Sequence, residues 1–122
     1  MRFAVFGHPI AHSLSPRLHA LFAEQFGIEL EYAAIDAPPQ RFAETVRAFF
    51  DADGCGANVT LPDKRLAFDL ADTHTQAAQR AGVANVLTRR DDGSIEAHNT
   101  DGEGLLRDLR ERHLVELHNQ RV

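Results

Sequence analysis

Apolar residues in the first third of the chain form one short run and then a longer helical pattern. The run 3–6 is apolar throughout and predicts a buried strand. From Ser15 to Gly27 the apolar residues recur at helical spacing. Ser15 is predicted as the N-cap of this helix and Pro16 as its first residue. A second strand is expected over 29–35.

The rest of the chain continues the alternation of strand and helix. Phenylalanine and valine recur at helical spacing after the double proline, and a glycine then precedes a run of alternating small and apolar residues. The remaining predicted elements are a helix over 42–50, a strand over 55–59, a helix over 75–81 capped by Thr75, a hairpin of strands 84–88 and 94–98, and a helix from Asp101 onward that includes Leu117.

This order predicts an α/β fold. Strands that alternate with helices form a mostly parallel open sheet, and the late hairpin adds one antiparallel strand pair. Helices are expected on both faces of the sheet, in three layers. A length of 122 residues with 43% hydrophobic composition is typical of one domain with an ordinary core.

Composition and charge exclude several classes of partner. The formal net charge is −5, and the largest basic cluster is the dipeptide Arg89–Arg90, so we expect no nucleic-acid partner. No apolar run approaches the roughly 20 residues that cross a bilayer, so no membrane partner is expected. The single cysteine, Cys55, excludes an internal disulfide and fits a reducing compartment. We therefore expect a cytoplasmic protein.

Polar side chains follow the predicted strands at the positions where open α/β sheets bind ligands, beyond the carboxyl ends of the strands. The topology can bring these distant segments to one edge of the sheet. The set comprises Ser13, Ser15, Asn58, Thr60, Lys64, Asn85, Asn99, Thr100 and Asp101.

Each of these residues also has an ordinary structural explanation. Ser13 and Ser15 flank a helix start, where unpaired N–H groups favour an anion such as a carboxylate, but residue types alone favour plain capping by Ser15 with Ser13 in a turn. Lys64 is by default a solvated surface charge, and Asp101 is by default a helix cap or an Asx turn. None of these residues supports a function by itself.

Two glycine pairs and one histidine pair are rejected as cofactor sites. Gly54 and Gly56 precede a strand rather than a helix, the reverse of the arrangement that binds a dinucleotide pyrophosphate. Gly102-Glu103-Gly104 opens a helix, but it carries an acid that repels phosphate. His8 and His12 flank Pro9 without a Cys or carboxylate cluster, so no metal site is expected.

Three segments together resemble one known family. They are 6–16 (FGHPIAHSLSP), 56–64 (GANVTLPDK) and 99–102 (NTDG). In order and in approximate spacing they resemble the signatures of the shikimate dehydrogenases, including their quinate/shikimate relatives. The resemblance covers roughly residues 3–110 and outweighs the ordinary explanations above.

The resemblance implies a substrate and a role for each residue. Family members reduce 3-dehydroshikimate to shikimate with NADPH, in aromatic amino acid biosynthesis. Ser13 and Ser15 would hold the substrate carboxylate, and the catalytic pair would be Lys64 and Asp101. The remaining substrate-binding residues would be Asn58, Thr60, Asn85 and Asn99.

Two positions depart from the family pattern. Asp63 stands where the family has an aromatic, histidine or other non-acidic residue, and it is expected either to hold Lys64 protonated or to face solvent. Val86 stands in place of the usual threonine after Asn85, which removes a supporting hydroxyl.

The resemblance also implies a division of the chain. Residues 1–101 would form the substrate-binding domain, and 102–122 a connecting helix towards an NADP-binding Rossmann domain missing from this chain. The chain alone is then expected to be inactive, and helix faces left uncovered are expected to drive self-association or homodimer formation. Two alternatives stay open: a quinate-preferring relative, and a stand-alone module that binds shikimate without catalysis.

Overall fold

The computed structural model describes residues 1–113, which form six strands and five α-helices. A single 3-10 turn at Pro39–Arg41 precedes the second helix. In chain order the elements are β1 (Arg2–Gly7), α1 (Ser15–Phe26), β2 (Glu31–Asp36), α2 (Phe42–Asp51), β3 (Gly54–Val59), α3 (Lys64–Leu70), β4 (Thr73–His74), α4 (Gln76–Ala81), β5 (Val86–Arg89), β6 (Ile95–His98) and α5 (Asp101–Glu111).

The six strands form one sheet in the order β2-β1-β3-β5-β6-β4. β1 pairs in parallel with β2 and β3, and β4 pairs in parallel with β6. β5 runs antiparallel to both of its neighbours, β3 and β6. The predicted mostly parallel sheet with a late hairpin is confirmed. Because only β5 is reversed among these six strands, the other five all end at the edge of the sheet where β5 begins.

Both faces of the sheet are covered near β1. Ala4 and Phe6 are fully buried on one face, in a cluster with α2 residues such as Val46 and Phe49. The cluster also takes Ala67 of α3 and Ala78 of α4, so these three helices share that face. α1 lies on the opposite face, and the predicted three layers are confirmed. None of the helices within 1–113 combines the length and apolar character needed to cross a bilayer.

Two elements were not predicted. α3 has only seven residues and begins two residues after Pro62, and β4 has only two residues. Leu66 and Leu70 of α3 pack against the core cluster, and this i, i+4 pair is the signal that the sequence offered.

One capping prediction is wrong. Ser15 is the first helical residue of α1 and the N-cap position is Leu14, which makes no side-chain capping hydrogen bond. The N–H of Ser15 instead donates a hydrogen bond to the Ser13 hydroxyl oxygen at 3.3 Å. In contrast, Thr75 caps α4 as predicted, since its hydroxyl accepts from the N–H of Ala78 at 3.3 Å. The predicted helix beyond residue 113, including Leu117, lies outside the described residues.

Candidate functional site

The predicted polar residues lie along one edge of the sheet, which we call the site edge. Thr60 follows β3, Asn99 and Asp101 follow β6, and Asn85 precedes β5. Asn85 bridges two strands there, because its carbonyl accepts from the N–H of Val59 and its N–H donates to the carbonyl of His98. The antiparallel direction of β5 thus brings a residue at the start of a strand to the edge where its neighbours end.

The start of α3 fixes the backbone of Lys64. The N–H of Asp63 donates to the Thr60 carbonyl at 3.1 Å, which turns the chain at the end of β3. The carbonyl of Lys64 accepts from the N–H of Ala84 at 2.9 Å. Lys64 is therefore a residue of a helix start tied to the sheet, rather than a residue of a loose surface loop.

Lys64 and Asp101 form a direct ion pair. The Lys64 Nζ lies 2.6 Å from Asp101 Oδ2, and the Lys64 side chain is only 27% exposed. Asn85 Nδ2 donates to the other carboxylate oxygen, Asp101 Oδ1, at 2.9 Å. Both oxygens of Asp101 are thus held by donors, which fixes the plane of the carboxylate.

The Asn85 side chain is oriented by Thr100. Asn85 Nδ2 also donates to the Thr100 hydroxyl at 2.8 Å, and the N–H of Thr100 donates to Asn85 Oδ1 at 3.0 Å. Thr100 therefore supplies a hydroxyl beside Asn85, where Val86 has none. In this arrangement Asn85 orients the Asp101 carboxylate of the ion pair, and its predicted contact with substrate stays a prediction.

Both polar atoms of the Asn99 side-chain amide are hydrogen-bonded within the protein. Its Nδ2 donates to the carbonyl of Val83 at 3.1 Å, and its Oδ1 accepts from the N–H of Asp101 at 3.0 Å. The residue is 7% exposed. Its visible role is to shape the turn that presents Asp101, and a contact with substrate stays a prediction.

Ser13, Ser15 and Thr60 are half-buried on the neighbouring part of the site edge. Gly7 allows the loop after β3 to approach β1 closely, because a Cβ on Gly7 would lie 2.6 Å from Thr60 Cγ2. The N–H of His8 donates to the Leu61 carbonyl at 3.2 Å and ties the same two loops together. The loop after β1, which carries Ser13, and the loop after β3, which carries Thr60, are therefore held next to each other at the site edge.

Asn58 has a partner that the sequence did not reveal. The hydroxyl of Tyr32, on β2, donates to Asn58 Oδ1 at 2.6 Å. The Tyr32 ring stacks on that of His19 of α1, with ring centroids 4.1 Å apart and planes 14° from parallel. An aromatic residue in a strand normally belongs to the core, so the sequence pattern gives no sign of this hydrogen bond.

Asp63 contradicts the expectation that it faces solvent. Its side chain is fully buried, and neither carboxyl oxygen has a hydrogen-bond partner. Burial raises the pKa of Asp63, the nearby His8 lowers it, and Asp36 raises it. His8 and Asp36 are themselves paired, with His8 Nδ1 3.0 Å from Asp36 Oδ1. An acid stands here in a space that suits an apolar side chain.

We expect the charge of Asp63 to make folding stability depend on pH. The folded-state pKa is raised, so the stability is fully present below the ordinary aspartate pKa and is lost as the pH rises through the raised value. Asp63→Leu should remove this loss and stabilise the protein at neutral pH by about 2 kcal/mol. Urea unfolding from pH 3 to 8 measures both effects.

Asp63→Asn is the matched control, since it removes the charge and keeps an unsatisfied polar group. A wild-type stability that does not fall with rising pH relative to both variants would contradict the assignment.

The fold and the site define a class: an open α/β domain that presents a lysine–aspartate pair and several neutral donors at its carboxyl edge. A family model described as the shikimate dehydrogenase substrate binding domain matches residues 5–87. The chain belongs to this family.

Individual relatives agree with the family model. The chain is 59% identical over 110 residues to a shikimate dehydrogenase (NADP(+)) of Methylococcus capsulatus, covering 90% of the chain and 39% of that protein. It is 55% identical over 121 residues to the enzyme of the same name from Chromohalobacter salexigens, covering 99% of the chain and 44% of that protein. The chain therefore spans about two fifths of the length of these curated relatives.

Solved structures show the same fold. A shikimate 5-dehydrogenase from Thermus thermophilus, in complex with NADP(H) and shikimate, superposes with a TM-score of 0.83 at 39% identity. The match covers 90% of this chain and 41% of that one. The sequence resemblance to the family is confirmed.

The residues described here do not fit a dinucleotide. Gly54 packs against Phe49, where an added Cβ would overlap the aromatic ring, so this glycine serves core packing at a strand start. Gly102 and Gly104 lie inside α5 with Glu103 between them, and that carboxylate would repel phosphate. Residues 1–113 thus present a lysine–aspartate pair with neutral donors beside it, and neither glycine pair within them suits a dinucleotide.

Proposed function

We propose that this chain is the substrate-binding domain of a shikimate dehydrogenase, which reduces 3-dehydroshikimate to shikimate with NADPH. The ion pair between Lys64 and Asp101, at 2.6 Å, is the observation that carries this proposal. A charged pair only partly exposed to solvent, at the ligand-binding edge of an α/β sheet, suits chemistry at a polar carbon–oxygen bond.

The pair would act on the oxygen of the reacting ketone. Reduction puts negative charge on this oxygen, and the ammonium of Lys64 would stabilise that charge. The oxygen then takes up a proton, and the Lys64–Asp101 pair can supply it. One N–H of the Lys64 ammonium is held by Asp101, which leaves other N–H groups for the substrate. The hydride would come from NADPH held by residues outside 1–113.

The substrate carboxylate would bind at the start of α1. Ser13 and Ser15 carry hydroxyls there, beside N–H groups of the first helical turn. Neutral donors and a helix terminus can hold a carboxylate without arginine, so the cationic Lys64 remains free for the reacting oxygen. Thr60, Asn58, Asn85 and Asn99 complete the proposed substrate-binding set.

Isothermal titration calorimetry of the 122-residue chain tests the binding half of this proposal. We expect saturable one-to-one heat with shikimate and a weaker response with quinate. Stronger binding of quinate would favour the quinate/shikimate relatives. No heat with either acid would contradict the proposed function.

The single lysine of the sequence allows a local test of the same binding. Expression with lysine carrying ¹⁵N at Nζ labels Lys64 alone and leaves its three N–H groups intact. Shikimate should shift the Lys64 Nζ signal, and glycerol at the same concentration should not. No shift with shikimate, or an equal shift with glycerol, would count against a ligand beside Lys64.

We further infer which part of the whole protein binds the substrate and which part binds NADP. Residues 1–101 would form the substrate domain, with 102–122 leading towards the NADP-binding part. A cytoplasmic location is supported by the soluble substrate and by the single free thiol of Cys55. Steady-state formation of NADPH from shikimate by the 122-residue chain alone would contradict this division.

We also infer that the isolated chain self-associates. Several large apolar side chains of α1 and its flanks are exposed in the described structure, among them Leu14 (75%) and Phe26 (68%). Exposed apolar surface of this kind favours association. Light scattering should give a mass that rises with concentration, and Leu21→Glu on the same helix should reduce that rise. A mass of one chain at high concentration would contradict the inference.

A further inference from the structure

Tyr32 contacts two elements that carry predicted substrate-binding residues. It lies on β2, opposite Phe3 of β1, and its hydroxyl reaches Asn58 on β3 at 2.6 Å. Its ring stacks on His19 of α1, whose Nδ1 in turn lies 2.9 Å from the carbonyl of Ser15. Tyr32 therefore connects the start of α1 to the end of β3.

The hydrogen bond with Tyr32 orients the Asn58 amide. With Asn58 Oδ1 occupied by the tyrosine hydroxyl, the two N–H groups of Nδ2 remain for a ligand. If the amide were reversed, Asn58 would offer a carbonyl oxygen to the ligand instead. Which kind of hydrogen bond Asn58 makes with a ligand thus depends on a residue outside the three family motifs.

The tyrosine remains a donor over the working pH range. Burial raises the pKa of the Tyr32 phenol to about 12, and the interaction with Ser15 opposes that rise. The phenol consequently keeps its proton at neutral pH. Its hydroxyl can then donate to Asn58 Oδ1 at neutral pH.

The stacked histidine fixes the position of the tyrosine ring. His19 Nδ1 lies 2.9 Å from the carbonyl of Ser15, and because a carbonyl only accepts, Nδ1 carries the proton. This bond holds the imidazole flat against the Tyr32 ring, with the two planes 14° apart. The helix turn that contains Ser15 and the ring that orients Asn58 are therefore held together by one histidine.

We propose that Tyr32 is a positioning residue of the substrate site: it holds Asn58 as a hydrogen-bond donor towards an acceptor oxygen of the hydroxy-acid ligand and fixes Ser15 relative to β3. This inference rests on the proposed function for the identity of the ligand. The orientation of Asn58 by Tyr32 does not depend on that identity.

Tyr32→Phe is the first test, in the whole protein that carries this domain. The variant keeps the stacked ring and loses only the hydroxyl. We expect KM for shikimate to rise about tenfold, the effect of losing one oriented hydrogen bond, while kcat changes less than about twofold. Thr88→Val is the matched control, since it removes an exposed hydroxyl from β5 and should leave KM unchanged. An unchanged KM in Tyr32→Phe, or a loss confined to kcat, would overturn the proposal.

A double-mutant cycle separates orientation from general loss of stability. If Tyr32 acts through Asn58, the double variant Tyr32→Phe/Asn58→Ala should have the same KM as Asn58→Ala alone. Additive effects on KM would overturn the proposal. Thermal unfolding of all three variants identifies any loss of fold, which would lower the active fraction and kcat rather than produce this pattern in KM.

Nuclear magnetic resonance of the ligand-free protein tests the orientation without any substrate. The Asn58 side-chain N–H signals should shift and broaden in Tyr32→Phe, because the amide then samples two orientations. Unchanged signals would overturn the inference. The resonance measurement needs no ligand, so it tests the orientation of Asn58 independently of the proposed function. A wild-type protein that fails to turn over shikimate would count against the proposed function and not against this orientation.

Discussion

Replacing Lys64 with alanine in the whole protein that carries this domain should lower kcat for shikimate by about 10³-fold. The variant loses the positive charge proposed to lie beside the reacting oxygen, and it leaves Asp101 without its ion-pair partner at 2.6 Å. KM should change much less than kcat, because Ser13 and Ser15, the residues proposed to bind the carboxylate, are unchanged. Steady-state kinetics in both reaction directions measure the two parameters.

Arg65→Ala is the matched control for Lys64→Ala. Arg65 is the next residue of α3, and its guanidinium pairs with Asp69 on the exposed surface. Removing it takes away a cation at nearly the same place in the chain, yet outside the site edge. Its turnover should stay within about twofold of the wild type, since exposed pairs of this kind contribute little. Wild-type turnover in Lys64→Ala would remove Lys64 from the mechanism.

Asp101→Asn should lower kcat by about 10²-fold or more. Both oxygens of Asp101 accept hydrogen bonds, one from Lys64 and the other from Asn85. An amide replaces one acceptor with a donor, so an N–H group would face either the Lys64 ammonium or the Asn85 amide. The side chain would rotate away from one of them, and the pair would lose both its charge balance and its fixed geometry.

Asp108→Asn on the same helix is the control for Asp101→Asn. Asp108 pairs with Arg112 near the end of α5, away from the site edge, so the same chemical change there should leave turnover unaltered. A kcat for Asp101→Asn within about threefold of the wild type would show that the carboxylate is not needed. The pH dependence of kcat/KM in both variants shows whether an acid–base group has been lost.

The three motifs made most of the site predictable. Lys64 and Asp101 are separated by 37 residues and look individually like a surface charge and a helix cap. Only the order and spacing of the three segments predicted that they meet. Their direct contact depends on β5, whose reversed direction places Asn85 between the end of β3 and the end of β6.

The misjudged positions share a physical cause, which is that burial depends on neighbours distant in the sequence. Asp63 was expected beside Lys64 or in solvent, because an acid is seldom buried without a partner. Its side chain is instead enclosed near the ends of β1 and β2, close to His8 and Asp36. For Tyr32 the pattern is misleading in the opposite direction, since an aromatic residue in a strand predicts core packing rather than a hydrogen bond to a site residue.

The sequence by itself determined the alternation of strands and helices, the family and the candidate residues, because periodicity and motif order are local properties of the chain. The tertiary structure alone decided how these residues interact. It placed Asn85 on Asp101, the Tyr32 hydroxyl on Asn58, and the Asp63 carboxyl in the interior. Hydrogen bonds and burial depend on distances between segments, and those distances exist only once the sheet has assembled.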